Sequence, residues 1–277
     1  LDEASTVFSR INSKGTDISK VEMLQALYYK DKQSVLIAEE IKNLINEMKS
    51  YDFVGLKTDD VLNCCYRYLG KFNFENKIKE LLDHGNLKNI VEHLKIDFKK
   101  SVEFLHQECG ILSYKHLPYA RQLVAVCAFF AIKKKYTSSD LKELKKWFFY
   151  TSAQQSFQNS SLGNIRPIFN RFDEFLRGER NTAIDYEDVE INVDFDFTYA
   201  NKNVQSNLIA MCLIQELNKN GRNDFHYIGD YISINKKPAF TFIMLYPDDR
   251  QKLNSIFKHG KFQADLDYLL SVSYTHL

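Results

Sequence analysis

The chain has 277 residues, of which 44% are hydrophobic and 26% are charged. This balance excludes an intrinsically disordered chain, and the length allows one large domain or two modest ones. The formal net charge of +1 offers no whole-chain argument for nucleic acid, so such a role must rest on local clusters. With only 10 glycines and 4 prolines, the composition predicts a mainly α fold, a multi-helical domain with a minor β element.

Cysteine usage and hydropathy narrow the class of protein further. The five cysteines are odd in number, and no two of them are spaced as C-x-x-C. Such a pattern argues against both a disulfide framework and a zinc site, so we expect no metal site and a reducing, cytoplasmic location. The longest apolar run, 123–132, is too short to cross a bilayer and predicts a buried helix, so no membrane partner is expected.

A polar segment precedes the first predicted helix. Ser19 and Glu22 match the pattern of an N-cap and a capping box for a helix over 20–29. Upstream, Arg10 and Asn12 fall on the same side of an extended segment. A guanidinium and an amide placed together suit the recognition of phosphate or carboxylate oxygens. The alternative is that both side chains only tie this segment to the following helix.

Further along the chain, apolar residues recur at helical spacing in several stretches. Thr58 is expected to cap one helix, while Gly110 and Gly178 are expected to end two others. The stretch 119–135 is almost wholly apolar and is expected at the centre of the core. The predicted helices cover 34–49, a segment from Thr58, 86–109, 119–135 with Pro118 in its first turn, a segment from Ser139 that carries Trp147, and 164–177.

The last third of the sequence changes its periodicity. Apolar and acidic residues alternate over 189–197, which predicts a half-buried strand with an acidic outer face. A candidate hairpin lies over 231–246. The acidic face could hold magnesium, but no histidine is near it in sequence, and a solvated acidic face is the favoured explanation. These patterns divide the chain into an N-terminal edge of a domain at 1–30, a helical domain at 31–180 and a mixed α/β region at 181–271.

A lysine-rich stretch borders the helix that carries Trp147. Lysines interleaved with aromatic side chains can contact a nucleic-acid backbone and stack on bases. The alternative is a solvated helix end whose cations complement the helix dipole. The candidate DNA-contacting residues are Lys134, Lys135, Lys142, Lys145 and Lys146.

The segment Phe8-x-Arg10-x-Asn12-x-x-Gly15 resembles the F-x-R-x-N motif of the ParB-like N-terminal domain in GmrSD-type restriction proteins, the family of domain of unknown function 262. The stretch 144–152 is similar to the family's K-x-W-F-x-x-S helix. The resemblance implies that Arg10 and Asn12 contact a nucleoside triphosphate with magnesium, and that Phe8 and Gly15 pack the motif. It also implies DNA as a partner, with a homo-oligomer or a partner subunit as further alternatives.

The sequence departs from that family in two respects. It contains no D-G-Q-Q-R motif, which the resemblance would place before Leu1, and no histidine occurs over 236–249, where the family's HNH-type nuclease would begin. Without an imidazole to activate water, an HNH mechanism is not available from these residues. We therefore expect no catalytic residue in this chain and no nucleotide hydrolysis by the chain alone. The nucleoside triphosphate with magnesium is expected as a cofactor of the parent protein, and no cofactor is expected for the fragment alone.

The ends of the sequence lead to a further expectation. The chain begins with Leu1, and 272–277 resembles the translation of a transposase adapter used in sequencing libraries, so that tail is left out of fold reasoning. We expect a fragment of a nucleotide-dependent restriction or anti-phage defence protein that acts on foreign or modified DNA. The alternatives are a non-catalytic helical module that binds DNA or protein, and a scaffold in which the N-terminal motif is purely structural.

Overall fold

The computed structural model describes residues 19–22, 32–70, 87–111, 113–158, 161–186 and 204. Within these ranges the regular structure is helical and no strand occurs, which confirms the predicted mainly α fold. The strand predicted over 189–197 and the hairpin predicted over 231–246 lie outside the described residues. None of the described helices is both long enough and apolar enough to cross a bilayer.

The described residues include six α-helices with defined bounds and the start of a further helix at residues 20–22. They also include three 3₁₀ helices, at Met48–Tyr51, Tyr66–Leu69 and Tyr114–His116. The α-helices are α1 (Lys32–Glu47), α2 (Thr58–Cys65), α3 (Leu87–Gln107), α4 (Ala120–Ile132), α5 (Ser138–Ala153) and α6 (Leu162–Leu176).

Helix α4 lies at the centre of the core, as its apolar sequence predicts. Every residue from Gln122 to Phe130 is buried, and the helix packs against α2, α3, α5 and α6. Its most extensive contact is with α3. The two helices run antiparallel, because Phe130 meets Phe104 while the later Lys134 meets the earlier Asp97. Each large apolar side chain buried there stabilises the fold by about 1.5–3 kcal/mol.

The predicted glycine stops are confirmed at the ends of α3 and α6. Gly110 and Gly178 have φ angles of 73° and 78°, a left-handed backbone conformation that glycine adopts without a steric penalty. After α3, the N–H of Ile111 donates to the carbonyl of Leu105 at 2.9 Å. This bond satisfies one of the carbonyl groups that a helix end leaves without a partner.

Two predicted helix starts are wrong by one or two residues. Thr58 is the first residue of α2 and not its cap, because Lys57 has the extended backbone of an N-cap, with φ −72° and ψ 138°, and supplies no side-chain cap. The N–H of Asp60 accordingly donates to the Lys57 carbonyl at 3.0 Å. Pro118 precedes the N-cap residue Tyr119 and so lies outside the first turn of α4.

Helix α5 also begins earlier than the predicted Ser139. Thr137 is its N-cap, and its hydroxyl accepts a hydrogen bond from the N–H of Asp140 at 3.2 Å. The Asp140 carboxylate in turn accepts from the N–H of Thr137 at 2.7 Å. This reciprocal capping box moves the start of the helix to Ser138.

The segment after α6 folds back onto α5 instead of leaving the helical domain. Ala183 and Ile184 are buried in the core. Glu143 of α5 accepts hydrogen bonds from the N–H of Ala183 at 2.7 Å and from the hydroxyl of Tyr186 at 2.6 Å. The helical packing therefore continues as far as Tyr186.

Candidate functional site

The residues predicted to contact or support a nucleotide lie outside the described part of the chain. They are Phe8, Arg10, Asn12 and Gly15. The nearest residues that the structure describes are 19–22, where the predicted helix begins. The contacts of residues 19–22 define how the helix that follows the candidate segment is held on the helical domain.

The capping box predicted at this helix start is confirmed. The hydroxyl of Ser19 accepts a hydrogen bond from the N–H of Glu22 at 3.1 Å. The Glu22 carboxylate accepts from both the N–H and the hydroxyl of Ser19, each at 2.8 Å. The bond from the Ser19 backbone, followed by the bond from its hydroxyl, holds the pKa of Glu22 below its usual value.

A second carboxylate reaches the same helix start from α2. One oxygen of Asp59 accepts a hydrogen bond from the N–H of Lys20 at 3.1 Å, and the other accepts from the N–H of Val21 at 3.3 Å. A negative charge is favourable at a helix N-terminus, where the unpaired N–H groups carry partial positive charge. No local sequence signal predicts this contact, because 39 positions separate Asp59 from Lys20.

Together these bonds satisfy four consecutive backbone N–H groups, those of residues 19–22. The first N–H groups of a helix commonly form an anion site. At this helix they already bind Ser19 and Asp59, so they are not available to a phosphate.

Three of the five lysines predicted to contact DNA have partners within the protein. Lys134 forms an ion pair with Asp97, at 2.7 and 2.9 Å from its two oxygens. Lys145 lies 3.6 Å from the Glu108 carboxylate. The third, Lys146, has its ammonium group 3.6 Å from the centre of the Tyr186 ring, a cation–π contact.

The partner of Lys134 is a buried carboxylate, which makes this ion pair part of the fold. The Asp97 side chain is 2% exposed, whereas that of Lys134 is 58% exposed. The hydroxyl of Tyr68 also donates to Asp97. Burial, more than any other factor, raises the pKa of Tyr68, and the hydrogen bond to Asp97 adds to the shift. Lys134 thus compensates a charge that would otherwise be buried alone.

The other two candidates, Lys135 and Lys142, are exposed and have no acidic partner among the residues that the structure describes. Lys99 and Lys100 of α3 share both properties, and the sequence analysis missed them. The sequence signal that could have identified Lys99 and Lys100 as candidates is that two lysines are adjacent. Because Lys134 contacts Asp97, the loop that carries Lys135 lies against the part of α3 one turn before Lys100.

The ion pairs reduce the net positive charge of this surface. The stretch 133–146 contains six lysines and two carboxylates, a net charge of +4. Counting the partners Asp97 and Glu108 lowers it to +2. The charge that remains available to a polyanion is concentrated in Lys135 and Lys142.

Neither a metal centre nor a thiol nucleophile is visible in the described ranges. No three histidine, cysteine, aspartate or glutamate side chains in them are grouped so as to hold a metal ion. The cysteines Cys64, Cys65, Cys109 and Cys127 are free thiols and all are buried. Burial raises the pKa of Cys65 and Cys109 above the usual value, so they are not poised as thiolates.

Comparisons with protein-family models, with curated proteins and with solved structures found no match to this chain. The resemblance to GmrSD-type restriction proteins accordingly rests on Phe8, Arg10, Asn12, Gly15 and the Trp147 helix. The contacts of Ser19 and Asp59 described above are independent of that resemblance.

Proposed function

We propose that this chain is part of a nucleotide-dependent restriction protein that acts on foreign or modified DNA in the cytoplasm. Its F-x-R-x-N segment, with Arg10 and Asn12, would contact the nucleotide. The observation that carries the proposal is that this motif runs directly into a helix start anchored by a capping box and by Asp59. A binding segment joined to a rigid anchor loses less conformational freedom when it binds.

Each residue of the motif has a distinct part in this proposal. The guanidinium of Arg10 supplies the positive charge that a phosphate needs, in a planar fork that can donate two parallel hydrogen bonds. Asn12 adds an amide that positions the loop, while Phe8 packs the segment and Gly15 permits its turn. Magnesium with a nucleoside triphosphate would supply the free energy for restriction. The nucleotide is expected as a cofactor of the parent protein. For this chain, which lacks D-G-Q-Q-R, we propose that Arg10 and Asn12 still contact the nucleotide and that it is not hydrolysed.

The test is a titration of the chain with fluorescent GTP and ATP analogues in the presence of magnesium. Arg10→Ala is expected to weaken binding by about 10- to 100-fold, the usual effect of losing a charge-assisted hydrogen bond. Arg177→Ala is the matched control, because Arg177 is exposed and pairs with Glu179 at the surface. Failure of the unsubstituted chain to bind either analogue, or equal binding by Arg10→Ala, would contradict the proposal.

A second candidate function, DNA contact by the helical domain, is favoured by the exposed lysines without acidic partners. Within the predicted cluster, Lys135 and Lys142 are exposed and have no acidic partner among the described residues. Lys100 of α3 is exposed in the same way. Lysines that neutralise phosphates release counterions, which makes DNA affinity depend on salt. This function is compatible with the first, since the restriction protein would need a DNA-contacting surface.

Salt-dependent DNA binding tests this candidate. The double variant Lys135→Gln/Lys142→Gln is expected to reduce the slope of log affinity against log salt by about 1.8, which corresponds to two phosphate contacts. The control is Lys49→Gln/Lys57→Gln, which removes two other exposed lysines. An unchanged slope in the first variant, or an equal change in both, would leave the helical domain without a specific DNA surface.

A further inference from the structure

Three of the buried cysteines meet where α2 packs against α4. Cys64 and Cys65 lie on α2 and Cys127 lies on α4, and all three residues are fully buried. We propose that Cys64 and Cys127 are a redox-sensitive pair, which a peroxide converts into a disulfide bond that joins α2 to α4. This inference does not depend on the proposed binding of nucleotide or DNA.

The thiols of Cys64 and Cys127 are direct neighbours across the interface between the two helices. They form a hydrogen bond with each other, and this bond, followed by burial, raises the pKa of Cys64 well above its ordinary value. The Cys64 thiol also donates to the carbonyl of Asp60 in its own helix, at 3.4 Å. Because a thiol has only one hydrogen to donate, the bond between the two cysteines runs from Cys127 to the sulfur of Cys64. The two sulfur atoms therefore face each other.

Cys65 is the other candidate partner for either thiol, and the helix geometry disfavours it. Neighbouring residues of an α-helix point about 100° apart, so Cys64 and Cys65 leave α2 in different directions. The Cys65 thiol donates to the carbonyl of Val61 at 3.9 Å, and Cys127 acts on Cys65 through its charge. The hydrogen bond therefore favours Cys64 over Cys65 as the partner of Cys127.

The reaction consumes one molecule of peroxide for each pair of thiols. The thiolate of one cysteine attacks an oxygen atom of hydrogen peroxide, which breaks the O–O bond, forms a sulfenic acid and, with the thiol proton, releases water. The sulfur of the other cysteine then displaces the hydroxyl group of the sulfenic acid, which leaves as water with the second thiol proton. The two sulfur atoms together lose two electrons, and the peroxide gains them.

Burial makes the pair slow to react. The nucleophile is the thiolate and not the thiol, and the raised pKa of Cys64 keeps its thiolate scarce. Oxidation therefore starts in molecules whose core opens locally. When the core closes again, it brings the second thiol to the sulfenic acid. Disulfides that form in a reducing compartment are commonly transient and serve as redox sensors.

Peroxide treatment of the full chain, followed by alkylation of the remaining thiols and non-reducing peptide mapping, tests the proposal. A disulfide between Cys64 and Cys127 is expected, in at least about 5-fold higher yield than in urea, where loop length alone governs which cysteines meet. Dithiothreitol should reverse it. The oxidised chain should also unfold at a higher urea concentration than the reduced chain, because a disulfide constrains the unfolded state.

Cys109 provides the matched control, because it is fully buried but has no cysteine beside it among the described residues. Cys109→Ala should retain both the disulfide and the increase in urea midpoint, whereas Cys127→Ala should lose both. Mapping of the unsubstituted chain decides the question even where Cys127→Ala fails to fold. A disulfide from Cys127 to any other cysteine, or thiols that stay reduced or oxidise without a bond between Cys64 and Cys127, would overturn the proposal.

Discussion

The guanidinium of Arg67 donates a hydrogen bond to the carboxylate of Asp173 at 2.5 Å, and the two side chains are only 2% and 18% exposed. Burial lowers the pKa of Arg67 and raises the pKa of Asp173, while each partner opposes the shift of the other. The pair joins the 3₁₀ turn after α2 to α6, across 106 positions of sequence. Each charge is tolerated in the core because the other compensates it.

Replacing Asp173 should therefore destabilise the fold strongly. Asp173→Ala leaves the Arg67 charge buried without its carboxylate, and we expect it to lower the free energy of unfolding by about 3–5 kcal/mol. Urea denaturation measures the change. Asp185→Ala, which removes a carboxylate that is 58% exposed, should leave the midpoint nearly unchanged. Similar decreases in the free energy of unfolding of the two variants would show that the buried pair stabilises the fold no more than a surface pair does.

Gln122 provides a second test, because its side-chain amide is fully buried in α4. The amide nitrogen donates to the carbonyl of Phe148 at 3.0 Å and to the hydroxyls of Thr151 and Ser152 at 2.9 Å each. Gln122→Glu keeps the shape but replaces a donor with an acceptor. That acceptor faces the Phe148 carbonyl and two hydroxyls, which already donate their hydrogens to backbone carbonyls of α5. We expect it to cost about 3 kcal/mol or more at pH 7, and less at low pH, where a protonated carboxyl regains one donor.

Urea denaturation at pH 7 and at pH 4 measures both parts of this prediction. Gln154→Glu is the matched control, because Gln154 is exposed at the end of α5. It should change stability by less than about 1 kcal/mol. A loss in Gln122→Glu that does not shrink at low pH would contradict the hydrogen-bonding explanation.

The capping box of α5 predicts a smaller and local effect. Thr137→Ala removes the hydroxyl that accepts from the N–H of Asp140 and should lower the free energy of unfolding by about 1 kcal/mol. The neighbouring Ser138→Ala, at an exposed position without a capping role, should stay within about 0.5 kcal/mol of the unsubstituted chain. Thermal unfolding of both variants makes the comparison, and a larger effect of Ser138→Ala would place the cap elsewhere.

His116 makes stability depend on pH in a defined direction. Burial lowers the pKa of His116 below its ordinary value of 6.5, against the opposing influence of Asp52. The unfolded chain therefore takes up this proton first as pH falls through 6.5, and the folded state loses stability by up to about 1.4 kcal/mol per pH unit. Denaturation between pH 7 and pH 5 should show this loss. The dependence of stability on pH should be weaker in His116→Gln. It should be unchanged in His93→Gln, which replaces an exposed histidine.

Local sequence signals were sufficient to predict most of the helices. The spacing of apolar residues in α3, with Gly110 at its end, and the apolar run of α4 each predict a helix that the structure confirms. The Ser19–Glu22 capping box is confirmed for the same reason. Such signals act over three or four residues, which is the distance that one helical turn spans.

Helix starts were harder to place, even though they are local. Thr58 has a side chain that favours the N-cap position, but the backbone places Lys57 at the N-cap and Thr58 as the first residue of the helix. The helix therefore begins one residue earlier than predicted. Thr137 and Asp140 carry a capping box that the prediction of a start at Ser139 overlooked. A cap depends on the backbone angles of a single residue, and several neighbouring residues can satisfy the same sequence pattern.

The fate of the charged residues depended on how the helices pack. Lys134 pairs with Asp97 and Lys145 with Glu108, each across 37 positions of sequence, so a cluster that is dense in sequence retains few lysines without acidic partners. Asp59 meets Lys20 in the same way. These contacts join residues on different helices, and periodicity within one helix carries no information about which helix lies beside it. The amino-acid pattern therefore specifies the helices and their buried faces, whereas the charge of each surface emerges only when those faces come together.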